Sequence, residues 1–89
     1  MNSSESWDLR VDKTVHRQTA RFPLEDKRRI FAAIESLKEN PYSGDLEKLK
    51  GESNVWRRRV GSYRIFFEVY QMNHLIDVFK VERRGSHTY

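Results

Sequence analysis

Residues 63–70, Tyr63-Arg64-Ile65-Phe66-Phe67-Glu68-Val69-Tyr70, crowd aromatic and β-branched side chains together, the composition that pleated strands favour. Just ahead of them, Gly61-Ser62 separates this run from a second extended segment, 54–60. Glycine at the first central position is the usual requirement of a type II′ turn, so the two segments are expected to form a β-hairpin. Two more strands are expected around it. Residues 46–50 lie ahead of Gly51-Glu52-Ser53, and residues 75–82 follow a turn at Met72-Asn73-His74.

The first half has a different period. Residues 7–12 alternate apolar and polar, the pattern of a half-buried strand. Asp12 then stands where it can cap a helix over 13–21 whose inward side carries Val15 and Thr19. Pro23 interrupts that helix. A second helix is expected over 24–39, with Ile30, Ile34 and Leu37 at helical spacing, Phe31 and Ala33 widening the stripe, and Lys27, Arg28, Glu35 and Lys38 facing water. Asn40-Pro41 ends it, and Gly44 marks the next turn. The order β-α-α-β-β-β(-β) implies an α+β fold, an antiparallel twisted sheet with an N-terminal helical hairpin on one face.

Composition narrows the chemistry. A chain of 89 residues is expected to form one domain, 1–89, with a thin core filled largely by its aromatic side chains. It has no cysteine, which excludes disulfides and thiolate zinc sites, and His16, His74 and His87 are too scattered for a histidine metal site. No cofactor and no metal are expected. No apolar run approaches the roughly 20 residues needed to span a bilayer, and Met1-Asn2-Ser3-Ser4-Glu5 does not read as a signal peptide, so a cytoplasmic protein without a membrane partner is expected. The formal charge of +4 suits a polyanion or an acidic protein partner.

The most unusual segment is Trp56-Arg57-Arg58-Arg59-Val60-Gly61-Ser62-Tyr63-Arg64. On a strand Arg57 and Arg59 share a face, and the hairpin folds Arg64 back beside them. Like charges facing each other destabilise a sheet, so the cluster points to an anion, and each guanidinium can grip a phosphate with two parallel hydrogen bonds. The plainer reading is a solvated face whose arginines pair with Glu68, Asp77 or Glu82. The last strand is expected to bring Arg83, Arg84 and Tyr89 to the same region. Trp56, Tyr63, Ile65 and Phe67 read as core. Phe66 and Tyr70 share parity with Arg64, where they either stack a base or lie buried under a loop. Arg58 is expected to pack its stem and send its head outward. Lys48 and Lys50 either extend the phosphate-binding surface, with Arg58 and Arg84, or line a solvated edge.

Three blocks carry a family resemblance. Leu49-Lys50-Gly51 followed by Trp56 to Val69 is similar to the conserved core block of RelE/ParE toxins. Leu37-Lys38-Glu39-Asn40-Pro41 resembles that family's second-helix end, and Arg83-Arg84-Gly85-Ser86-His87-Thr88-Tyr89 resembles its tail. The resemblance implies a toxin that enters the ribosomal A site and cuts messenger RNA without a metal, by attack of a 2′-hydroxyl on its own adjacent phosphate. By motif, it implies Arg64 as the phosphate-stabilising arginine and Arg57 and Arg59 as the basic pair. Arg83 corresponds to the leaving-group arginine and Tyr89 to the tail tyrosine that orients or deprotonates the nucleophile. Ribosome-dependent members carry lysines where this chain has Arg57 and Arg59. Arginine effectively never loses its proton, so the base is expected from Tyr89 or His87. Two other functions fit the same scaffold: a ParE-like inhibitor that binds DNA gyrase, and a member that only binds antitoxin. In every case the resemblance implies a cognate antitoxin as partner.

Overall fold

The computed structural model describes residues 6–83. The chain runs β1 (Asp8–Val11), α1 (Lys13–Thr19), α2 (Leu24–Ser36), β2 (Leu46–Lys48), β3 (Val55–Val60), β4 (Tyr63–Tyr70) and β5 (Leu75–Arg83). The strands form one sheet in the order β1-β5-β4-β3-β2. Four of them are joined antiparallel, as expected, but β1 lies parallel to β5 and makes the sheet mixed. The two helices stand between β1 and the other strands, so no tight turn forces β1 to run against its neighbour. Main-chain bonds from Asp8 N to His74 O and from Asp12 N to Val78 O hold it there.

Local chemistry explains most element ends. The Asp12 carboxylate accepts from Thr14 N at 2.9 Å and caps α1, whose Val15 and Thr19 are buried. Hydrogen bonding from the Thr14 side chain, and then from its main-chain N–H, holds the Asp12 pKa below its ordinary 3.8. A depressed carboxyl stabilises the fold above its unfolded pKa, and the contribution is lost as pH falls through the folded pKa. Asp12→Ala is therefore expected to lower the melting temperature by a few degrees at neutral pH. The gap between variant and wild type should close on acidification through the carboxylate range, as thermal melts at a series of pH values would show. Helix α2 stops three residues earlier than its pattern implies. Leu37, Lys38 and Glu39 donate instead to carbonyls three residues back, tightening the chain out of the α-helix. At the hairpin Gly61 has φ +58° and Ser62 is not among the positive-φ residues, the conformational signs of a type II′ turn.

Both helices cover one face of the sheet. Val15, Ile30, Ile34 and Leu37 pack there against Tyr63, Ile65, Phe67, Val69, Ile76, Val78 and Val81. No described helix covers the other face. That open face belongs to the alternate residues Arg57 and Arg59 of β3 and Arg64, Phe66 and Glu68 of β4.

Candidate functional site

The hairpin register decides where the charges meet. Arg59 lies directly opposite Arg64, and Arg57 lies opposite Phe66, so three guanidiniums share the open face at the turn end of the sheet. Each has a carboxylate. Arg57 bonds Glu47, Arg59 Nε reaches Asp45 Oδ2 at 3.0 Å, and Arg64 Nη1 stands 3.9 Å from Glu82 Oε1. Lys80 Nζ shares Glu82 at 3.5 Å. Asp45, Glu47, Arg57, Arg59 and Arg64 line one cleft. The main chain helps build it, because Arg59 N donates to Asp45 O at 2.9 Å.

Hydrogen bonding from Arg57, and its charge, hold the Glu47 carboxyl below its ordinary pKa of 4.5. Glu47 therefore stays ionised at neutral pH and orients Arg57, a role unlike that of a proton acceptor. Exposed ion pairs of this kind contribute little to stability, so an arriving anion can displace the carboxylates at small cost. A phosphate offers the guanidinium fork the same paired oxygens that a carboxylate does. The site is thus a set of arginines held in order by groups that a phosphate can replace.

The two aromatic residues of β4 on this face differ in their surroundings. Phe66 is buried, 6.3 Å from the Phe79 ring and with Lys80 Nζ 4.7 Å above it, so the burial reading describes it. Tyr70 stands at the far end of β4, its hydroxyl bonded to Glu68 Oε1 at 3.0 Å. That bond raises the phenol above its ordinary pKa of 10.0. On the helix face Tyr63, Ile65 and Phe67 are buried, and Trp56 packs partly buried against the same core.

Several basic residues lie elsewhere. Arg58 does not send its head outward. It is on the helix face, where Nη1 donates to Ser36 Oγ at 2.9 Å and to Ala33 O at 3.3 Å, joining the Ser36 Oγ–Ala33 O hydrogen bond at the end of α2. A Cβ on Gly44, whose φ is +88°, would come within 2.7 Å of Arg58 Nε, so that turn is shaped around the guanidinium. Arg58→Ala is expected to cost about 1 kcal/mol and lower the melting temperature by roughly 4–8 °C, with the open face unchanged. An unshifted melt would remove this structural role. Lys48 pairs with Trp56 in register, its Nζ 5.8 Å from the indole ring, away from the cleft. Lys50 is exposed in the turn after β2. Arg83 faces the helix side, its guanidinium 5.8 Å from the Tyr63 ring. Arg84, His87 and Tyr89 lie outside the described residues.

Asp45 and Glu47 were absent from the sequence expectation. Their two-residue spacing, matching that of Arg57 and Arg59 with opposite charge, was the available sign. Among the described residues no group of three His, Asp or Glu side chains is placed to hold a metal ion, and no helix is long and apolar enough to cross a membrane.

A family profile described as "ParE toxin of type II toxin-antitoxin system, parDE" matches residues 7–87. The chain is 28% identical over 81 residues to a putative toxin RelE1 of Methanocaldococcus jannaschii, covering 88% of this chain and 90% of that protein. Its fold resembles the archaeal RelE–RelB complex from Pyrococcus horikoshii with a TM-score of 0.79 at 24% identity, over 92% of this chain and 99% of that one. The isolated E. coli RelE toxin gives a TM-score of 0.77 at 14% identity, with 92% and 88% covered. The RelB–RelE complex from Methanococcus jannaschii gives 0.69 at 28% identity, with 83% and 88% covered.

Proposed function

Since the chain belongs to the RelE/ParE family of type II toxin–antitoxin toxins, we propose that it is a ribosome-dependent endoribonuclease that cleaves messenger RNA in the A site. The observation that carries this reading is the convergence of Arg57, Arg59 and Arg64 on the sheet face that no described helix covers. In the proposed reaction the 2′-hydroxyl oxygen attacks the adjacent phosphorus and the bond to the 5′-oxygen breaks. The products are a 2′,3′-cyclic phosphate and a 5′-hydroxyl end. The hydroxyl proton passes to a base, and the leaving oxygen takes a proton from an acid.

Negative charge grows on the phosphorane oxygens as the attack proceeds. Arg64 is assigned to those oxygens, with Arg57 and Arg59 holding the flanking phosphate. Fixed donors aimed at developing charge are commonly the largest catalytic contribution, about 3–4 kcal/mol for one good donor. None of the three can take the proton, because a guanidinium stays charged at any working pH. Tyr89 and His87 are proposed for that role. Lys48, Lys50 and Arg84 are proposed as more distant RNA contacts; Arg58 is withdrawn from that set by its bonds to α2. The proposed partner in the resting cell is a cognate antitoxin, as in the RelE–RelB complexes, and the proposed place of action is the cytoplasm.

Purified protein added to ribosomes programmed with an end-labelled message should cut it within the A-site codon. Intact message would sink the nuclease reading. A second reading is favoured by the ParE description of the matching profile: inhibition of DNA gyrase through protein contacts. Blocked supercoiling together with intact message would put that reading in its place. Inactivity in both assays, with antitoxin binding retained, would leave a member that only binds antitoxin.

A further inference from the structure

The cations of the open face are all matched by carboxylates, but two guanidiniums on the other side of the same hairpin are not. Arg29 reaches across from α2 to the turn, where its Nη1 lies 3.4 Å from the position a Cβ on Gly61 would take. Arg83, opposite Tyr63 in the register, lays its guanidinium over that ring. Both are exposed, and neither makes an ion pair with a described carboxylate. The nearby acid, Asp26, accepts the Tyr63 hydroxyl at 2.7 Å. Both arginines act electrostatically on that hydroxyl, so they share one neighbourhood.

Two guanidiniums around this one carboxylate, which already accepts the Tyr63 hydroxyl, leave the neighbourhood with net positive charge that a further anion would offset. The cation–π contact with Tyr63, 5.8 Å from guanidinium carbon to ring centroid, uses none of the Arg83 N–H donors, which can still bond an anion. At this end of the sheet the described residues between the pair and the open face are those of the turn. Gly61 has no side chain, Ser62 has a small one, and both are exposed. Tyr63 and Arg64 are consecutive on β4, so the two arginine groups lie on opposite faces of the same sheet end.

We propose that Arg29 and Arg83 form a second phosphate subsite for single-stranded RNA on the helix side of the hairpin. A strand gripped by Arg57, Arg59 and Arg64 then continues over the Gly61-Ser62 tip to reach it. The proposal rests on the RNA-cleaving reading and adds the path of the strand beyond the scissile phosphate. It assigns Arg29 a binding role and moves Arg83 from the reacting phosphate to a neighbouring one.

The test uses fluorescein-labelled 2′-O-methyl oligouridylates, which lack the attacking hydroxyl, as a trinucleotide and a dodecanucleotide. Their binding to wild type, Arg29→Ala and Arg64→Ala is followed by anisotropy over a salt series. Arg29→Ala should bind the trinucleotide like wild type but the dodecanucleotide about three- to fivefold more weakly, the size of one exposed charge contact. Its salt slope on the longer RNA should fall by about 0.7, the value of one single-strand phosphate. Arg64→Ala should weaken both lengths. If Arg29→Ala binds the dodecanucleotide with wild-type affinity and slope while Arg64→Ala is impaired, the subsite is overturned and the cleavage face stands. If Arg64→Ala also loses nothing on either RNA, the subsite falls together with the RNA reading. Melting temperatures of the variants, expected to match wild type because both side chains lie outside the core, show that binding losses are not unfolding.

Discussion

Induction of the wild-type chain in bacteria is expected to arrest growth, and replacing Arg64 with alanine is expected to relieve that arrest. Cleavage of A-site message should fall by roughly 10²–10³-fold, the usual consequence of removing one preorganised donor. Arg64 is the guanidinium of the three least engaged by a carboxylate. It stands on β4, hydrogen-bonded to strands on both sides, and its partner Glu82 lies at 3.9 Å, too far to compete strongly with a phosphate. Folding should be little affected, since Arg64→Ala removes a cation that faces Arg59 across the ladder and takes nothing from the helix-side core. Arg64→Lys keeps the charge and loses the two-pronged geometry, so an intermediate rate is expected. Wild-type growth arrest by a folded Arg64→Ala protein would remove Arg64 from the chemistry.

Phe67→Ala is expected to abolish the same toxicity for a different reason. Phe67 is completely buried on β4, at the centre of the layer between helices and sheet. Truncating such a side chain typically costs 3–5 kcal/mol. A domain of this length has a total stability of about 4–13 kcal/mol, so much or all of the margin disappears. Circular dichroism should show a melting temperature lower by tens of degrees, and soluble protein should fall with it. The pair of variants separates two kinds of inactivity, since Arg64→Ala should melt like wild type. A Phe67→Ala melt within a few degrees of wild type would contradict the packing described.

Much of the scaffold was legible from short-range patterns. Alternation over 7–12, the aromatic and β-branched run of 63–70, the helical stripe of Ile30, Ile34 and Leu37, the Asp12 cap and the Gly61-Ser62 turn are set by neighbours a few positions apart. They appear in the structure nearly where they were expected. The sharing of one face by Arg57, Arg59 and Arg64 was legible for the same reason, because strand alternation plus a two-residue turn determines it. The ends that moved, the early stop of α2 and the shortening of β2, are where local preference is weak and packing decides.

What the sequence by itself determined, then, is which residues form each element and which of them share a face within one hairpin. Which residues meet across the sheet was decided by the tertiary structure. Only the fold shows that β1 joins parallel beside β5, that Glu47 and Asp45 come to stand against Arg57 and Arg59, and that Arg58 serves the end of α2. The clearest case is Arg83. By simple alternation from Ile76 and Val78, both buried on the helix side, Arg83 belongs on the open face with Arg64. The β4–β5 register slips between Phe66 and Phe67, where Phe66 pairs with Lys80 and Phe67 with Val78, leaving Phe79 as an extra residue. One extra residue reverses the side on which every later side chain of the strand falls. It puts Val81 into the core, Glu82 beside Arg64, and Arg83 over Tyr63 on the helix side. A bulge depends on how two strands pack against everything around them, which is why the local pattern of β5 gave no sign of it.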